Sequence, residues 1–412
     1  MSIRPARPQS APFVGRLGRS LAGLIAGGTL LAGCATSPDA AEPATAASGP
    51  AEPTAAAAIS DREWVARNYL TTPADARRLG YRIDWQHRGD PTTTMREVRS
   101  NGDAVFALDE TLRISRYDGS DGTRLWRVPM LESVSRTQGM TYLPSDDQLY
   151  VAVGTEFHVY DGGTGVLLDR QRLQTATSTR PLPAGRFLIY GSRDGQVVWH
   201  AFQVGAPWRS YRIANTIEVT PAISEGYLGA PGQGGTISCL RLRDASRVWT
   251  KRTLADVVAP PAAGVGHAFV ASLDRHLRAW PLAFDTPTPA WEYLTRAPLE
   301  DGPTVVGESV YQQVPGHGLH RFAAAPMNRP QGLLEWVAAD VTGSVAARLG
   351  DRLLTWDAER SLMQVVDERT GDLIESVELP RVSSLHVSDV EGGDLYLGGT
   401  GGRVLRLVPS TG

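Results

Sequence analysis

The chain has 412 residues, 42% hydrophobic and 21% charged, with 41 Lys or Arg against 44 Asp or Glu and a net charge of −3. That balance lacks the clustered basic excess that phosphate backbones demand, so no nucleic-acid partner is expected. Two cysteines exclude a disulfide scaffold or a cysteine zinc cage, whereas 43 Gly, 28 Pro and 10 Trp suit short strands joined by many turns.

The first predicted element is a leader. Arg4, Arg7, Arg16 and Arg19 precede an apolar run of 13 residues from Leu21 to Gly33, too short to span a bilayer as a helix but suited to a signal-peptide core. The run ends in Leu31-Ala32-Gly33-Cys34, which resembles the bacterial lipobox. The resemblance implies a leader over 1–33, cut before a Cys34 that carries acyl chains. Each buried CH₂ contributes about 0.8 kcal/mol, so two or three chains anchor a protein firmly. Ala35, rather than Asp, follows the cysteine; by resemblance to the lipoprotein sorting rule this favours the outer membrane, with the protein on its periplasmic side.

Residues 34–60 are then a lipidated cysteine and a flexible spacer, because their Ala, Pro, Ser, Thr and Gly cannot bury enough surface to offset chain entropy. Two short helices are expected over 61–80. Ser60-Asp61-Arg62-Glu63 reads as a capping box for the first. Thr72-Pro73 reads as N-cap and N1 of the second, with Gly80 as its stop.

From Tyr81 a repeat begins. Trp85, Trp126, Trp208, Trp249, Trp291 and Trp336, with Asp169 and Glu375 on the two missing beats, give steps of 41, 43, 39, 41, 42, 45 and 39. Apolar or alternating runs such as residues 148–153 and 186–190 are split by the turn dipeptides Asp118-Gly119, Asp161-Gly162 and Asp194-Gly195. A period near 40 with short strands and no 3.6-residue periodicity predicts β-propeller blades. Residues 81–408 divide into eight units of 41, and the last stops before its Trp strand while Tyr81–Trp85 is a Trp strand with no blade before it. The expectation is an all-β, eight-bladed propeller over 81–412, closed by its N-terminal strand, which leaves no open ring edge.

The units resemble the quinoprotein-type (PQQ-like) repeat, with its Ala-x-Asp-x-x-Thr-Gly-x-x-x-Trp docking motif. Asp161, Thr164 and Gly165 match it in blade two, Asp118, Gly122 and Trp126 in blade one, and Asp367, Thr370 and Gly371 in blade seven. The resemblance implies that Trp85, Trp126, Trp208, Trp249, Trp291 and Trp336 stack on neighbouring blades and are structural. Asp169 and Glu375 depart from the motif, and blades three to six carry altered loops before the Trp position.

No chemical constellation emerges from the residues. Cys239 stands alone in a strand, where packing is its expected role. The run Asp118–Gly122 lacks the spacing of a calcium loop. His317 and His320 follow a Pro-Gly turn and are expected on opposite faces of a surface hairpin. His158, His200, His267 and His276 fall in different blades. Residues 229–235 lack the Lys-Ser/Thr pair of a phosphate loop and read as a wide hairpin. No catalytic, cofactor or metal residue is assigned.

Lipobox, tether and eight PQQ-like blades together resemble the BamB-like outer-membrane assembly lipoproteins. That resemblance implies a non-enzymatic, monomeric scaffold, held to the membrane through Cys34 and contacting a β-barrel assembly protein. Loops 281–290 and 322–333, which lengthen blades five and six, are the first candidates for contact. The alternatives are a PQQ-type periplasmic dehydrogenase relative, or a polysaccharide-binding propeller using Trp199, Trp280 or Trp356.

Overall fold

The computed structural model describes residues 69–130 and 136–410. The predicted leader, Cys34, the spacer and nearly all of the first predicted helix lie outside them. From Tyr81 onward the described chain forms eight four-stranded antiparallel sheets. Blades 1 to 7 cover residues 95–129, 139–172, 182–212, 222–252, 262–294, 304–338 and 344–378, each pairing its strands in chain order. Blade 8 takes Val382–Val387, Leu395–Gly399 and Arg403–Pro409 from one end of the chain and its outer strand, Tyr81–His87, from the other. Their register runs from Tyr81 opposite Pro409 to His87 opposite Val404, so the two ends are joined by a full strand pairing.

Burial explains the mixed hydrophobic pattern. The second strands of blades 1 and 6, Ala104–Asp109 and Ser309–Val314, are buried at every position, because a neighbouring blade covers each face. Outer strands such as Leu167–Arg172 and Ala206–Arg212 are largely exposed. The core therefore lies between blades. Phe106, Leu108 and Ile114 of blade 1 pack on Met140, Leu149 and Val151 of blade 2; Phe269 and Leu277 of blade 5 pack on Val310 and Phe322 of blade 6. Where blades touch through strands, it is mainly the first strands that meet, so these converge on the axis.

The Asp-Thr-Gly turn builds a platform for the preceding blade. Asp161 Oδ1 accepts from Thr164 N at 2.7 Å and from its hydroxyl at 2.6 Å, closing an Asx turn. Gly165 follows at φ +74°, and a Cβ there would lie 2.7 Å from the Trp126 ring. Glycine is thus required twice, for its backbone and for the indole lying on it. Trp126 Nε1 then donates to Gly162 O at 2.7 Å. Trp85 over Gly122 and Trp336 over Gly371 repeat the stacking, with their indoles donating to Gly119 O and Glu368 O. Trp249 and Trp291, both buried, donate to Pro281 O and Ala324 O in the next blade.

Trp208 breaks the expectation. It is 37% exposed and stacks on Phe187 within its own blade, ring centroids 4.8 Å apart. Most outer strands carry a β-bulge, and the docking residue sits just after it: Trp126 faces Arg116 across one such bulge and Trp249 faces Cys239 across another. In blade 3 the residue in that position is Arg209, opposite Trp199, while Trp208 is the extra residue of the bulge. The bulged residue turns outward, as Leu125 does in blade 1. With Arg209 on the beat, the steps from Asp169 and to Trp249 become an even 40 and 40. Docking passes to two other groups: Trp199 Nε1 donates to Leu242 O at 3.2 Å, and Arg209 Nη1 to Asp244 O at 2.8 Å.

The two non-Trp beats have separate physical reasons. Beside Asp169, Gln171 Nε2 donates to Phe202 O of blade 3 at 2.8 Å, and its Oε1 meets His200 Nε2 at 2.8 Å. A buried amide thus replaces the indole. At Glu375 the next blade has no loop to dock on, since the chain's two ends meet there. Helix α1 (Pro73–Arg78) occupies that place, and Arg78 donates to Glu375 Oε2. Thr72 Oγ1 caps the helix by accepting from Asp75 N, Pro73 opens it, and Gly80 follows at φ +83°. Ala76 and Leu79 join Leu354, Val377 and Leu405 in one cluster, so the helix braces the closure between blades 7 and 8.

Candidate functional site

Each blade presents its first and third turns on one rim, and its second turn and the link to the next blade on the other. The link rim carries an exposed apolar group on a hydrogen-bonded segment. In the link after blade 4, Leu254 is 89% and Val258 45% exposed, while Val257 and Ala259 between and beyond them are buried. Burial alternates along the segment, which turns Leu254 and Val258 to solvent and Val257 and Ala259 to the interior. Leu254 N donates to Asp274 Oδ2 at 2.9 Å, Asp256 Oδ1 accepts from Gly234 N at 2.9 Å, and Asp256 O accepts from Leu273 N at 3.0 Å. Thr253 and Ser272 hydroxyls bond Ala255 O at 2.6 and 3.0 Å. Asp274 is itself held by both oxygens on Arg278 Nη1, at 3.0 and 2.8 Å. Leu254 therefore projects from a backbone that has already lost its freedom, which lowers the entropic cost of docking on it. Beside it lies a cleft of about 220 Å³ lined by Thr216, Glu218, Val219, Gln233, Asp256 and Val258.

On the opposite rim, loops 281–290 and 322–333 expose Phe284, Met327 and Leu333. Their length has a structural use. Asp285 and Thr286 O hold Lys251 of blade 4, Pro330 O accepts from Glu292 N, and Gly332 lies under the Trp291 ring. These loops staple neighbouring blades together. The same rim carries Trp208 with the Arg209 guanidinium over its ring at 4.8 Å, next to a cleft of about 540 Å³ bordered by Arg186, Phe187, Tyr227 and Arg243.

The candidate chemical residues stay apart. Cys239 is fully buried and its thiol is pushed up to about 12, chiefly by burial. His158 pairs with Glu156 at 3.2 Å, and His276 lies beside Asp274. Burial pushes His200 down to about 4. His317 sits in the turn and His320 in the strand, and instead of facing apart both border one groove of about 370 Å³. Residues 229–232 belong to a strand, so that hairpin is tight rather than wide. Among the described residues no three His, Cys, Asp or Glu side chains converge to hold a metal ion. Trp199 and Trp280 are buried and Trp356 partly so, which removes them as an exposed sugar-binding row.

Sequence reasoning missed the axial groups Arg99, Arg180 and His386, which line a pocket between the first strands of several blades. No motif marks them, because they fall in blade 1, in the link ahead of blade 3 and in blade 8.

The sequence profile of the family described as outer membrane protein assembly factor BamB matches residues 110–199 and 184–412. Among solved structures, BamB from Moraxella catarrhalis is similar with a TM-score of 0.61 at 17% identity, over 81% of this chain and 98% of that one. The computationally designed Ika8 protein is similar with a TM-score of 0.64 at 14% identity, over 79% of this chain and 99% of that one. At such identities the likeness concerns the fold alone. No curated protein matches the chain by sequence.

Proposed function

The chain belongs to the family of the outer membrane protein assembly factor BamB, and from that premise we propose that it is a non-enzymatic scaffold in the assembly of outer-membrane β-barrel proteins. It is anchored through acyl chains on Cys34, stands on the periplasmic side of the outer membrane, and contacts a β-barrel assembly protein with its link rim. The observation that carries the rim assignment is Leu254, exposed at 89% on a segment whose backbone is fixed by its neighbours. Scaffold contacts concentrate their energy in a few such anchors. The stapling bonds of loops 281–290 and 322–333 support a structural reason for their length, so the link rim takes precedence over them.

The test is recovery of partners from a mild-detergent extract of cells carrying the tagged full-length chain, with the partners identified by mass. A β-barrel assembly protein is expected in the eluate, reduced about tenfold or more by Leu254→Glu with Val258→Glu and unchanged by Met327→Glu. A folded, membrane-bound chain that recovers no such protein overturns the assembly role. Equal recovery from the Leu254/Val258 variant overturns the rim assignment alone. Cys34→Ser is expected to move the protein from the membrane to the soluble fraction.

A further inference from the structure

We propose that the axial pocket between Arg99, Arg180 and His386 binds a small oxyanion of the phosphate or sulfate kind. The pocket, about 120 Å³, is bordered by residues of the first strands of blades 1, 2, 3 and 8, among them Arg99, Tyr142, Pro183 and His386. Its charge is unbalanced. Arg99 Nε donates to Glu97 Oε1 at 2.8 Å and its Nη1 meets His386 Nδ1 at 3.4 Å. Arg180, just ahead of blade 3, contributes a second guanidinium with no hydrogen-bond or ion-pair partner among the described residues. One carboxylate thus serves two guanidinium groups.

Arg180 is held in place without a hydrogen bond to any described residue. Thr141 Oγ1 donates to Pro181 O at 2.6 Å and pins the adjacent backbone. Its methylene stem crosses Gly139, where a Cβ would lie 2.8 Å from Arg180 Cγ. The missing side chain at Gly139 makes the track along which the guanidinium reaches the pocket. Burial, with Arg99 adding repulsion and Glu97 opposing both, brings Arg180 down to about 10. Burial first and Arg99 second bring His386 down to about 4. A neutral His386 accepts from Arg99 at Nδ1 and donates from Nε2 to Ser100 O at 3.3 Å. It therefore orients Arg99 without adding a third charge.

A partly buried cation that shares one carboxylate with a second cation is costly, and an anion that pairs with it recovers that cost. Two arginines bordering one small pocket suit the several acceptor atoms of a tetrahedral oxyanion. The inference is independent of the assembly role.

Isothermal titration of the full-length chain with phosphate, and separately with sulfate, at constant ionic strength set by chloride tests it. A saturable heat is expected, together with a rise in Tm of about 1–2 °C at ten times the dissociation constant. Arg180→Met keeps the stem over Gly139 and removes the charge; it is expected to weaken binding about tenfold or more and to leave Tm without phosphate unchanged or higher. Arg180→Lys is expected to retain weakened binding, and Arg243→Met, at an 82% exposed side chain, to bind as the parent does. Absence of a saturable heat in the parent, or full binding by Arg180→Met, overturns the proposal. Should Arg180→Met not fold, undiminished binding by Arg180→Lys does so as well.

Discussion

Replacing Gly122 with alanine isolates the contact that joins blades 8 and 1. Gly122 has φ +74°, and a Cβ there would lie 2.4 Å from Trp85 Cε3 and 2.6 Å from Cδ2. A left-handed conformation costs an L residue about 1–2 kcal/mol. Forcing the indole off its platform adds an overpacking cost of about 1–3 kcal/mol, so the sum is about 2–5 kcal/mol. If the shifted ring also loses its 2.7 Å bond to Gly119 O, about 1 kcal/mol more is lost. Gly102 is the control: its φ is +59° and no atom stands within 4 Å of its Cβ position, so Gly102→Ala carries only the backbone cost of about 1–2 kcal/mol. Equilibrium urea unfolding followed by far-UV circular dichroism measures both. In a Trp85→Leu background the two alanines should converge, because the clash has gone while the strain remains. If Gly122→Ala were no worse than Gly102→Ala in the parent, the claim that tryptophan seating fixes the inter-blade distance would fall.

Other outcomes follow from the same geometry. Trp199→Ala should destabilise the protein by about 3–5 kcal/mol, because it empties a fully buried site and removes the bond to Leu242 O. Trp208→Ala, on the outward bulge, should stay within about 1 kcal/mol; the reverse order in urea unfolding would restore Trp208 as the docking residue. His200, buried and near 4 against an ordinary 6.5, refuses in the folded state a proton that the unfolded chain accepts. Its contribution is therefore full above pH 6.5 and is lost as pH falls toward 4, at up to about 1.4 kcal/mol per pH unit. His200→Gln should flatten that slope, and an unchanged pH profile would rule out His200 as a source of acid sensitivity. Burial also holds the Cys239 thiol near 12, so it should resist alkylation at pH 8 in the folded protein and react promptly in urea; fast native labelling would contradict its burial.

Much of the fold was legible in the spacing of one residue type. Tryptophans about 41 apart set the blade count, and an orphan Trp strand at Tyr81 set the mode of closure, because a repeat that buries its faces only against its neighbours must recur at a fixed length. Helix α1 was legible from Thr72, Pro73 and Gly80 because capping is local chemistry. What a count of residues could not register was a one-residue shift within a strand. Trp208 and Arg209 differ by a single position, yet the bulge sends one to solvent and the other to the docking carbonyl, since side chains alternate faces along a strand. The reason for Glu375 was equally hidden: that the next blade has no loop there is a fact of ring closure and not of the seventh repeat. Convergence at the axis was the least visible. Arg99, Arg180 and His386 are separated by 81 and 206 residues in the sequence and share a pocket only because first strands from different blades meet around one axis. Local chemistry and periodicity determined the elements and their number; the closed ring decided which of their side chains face each other.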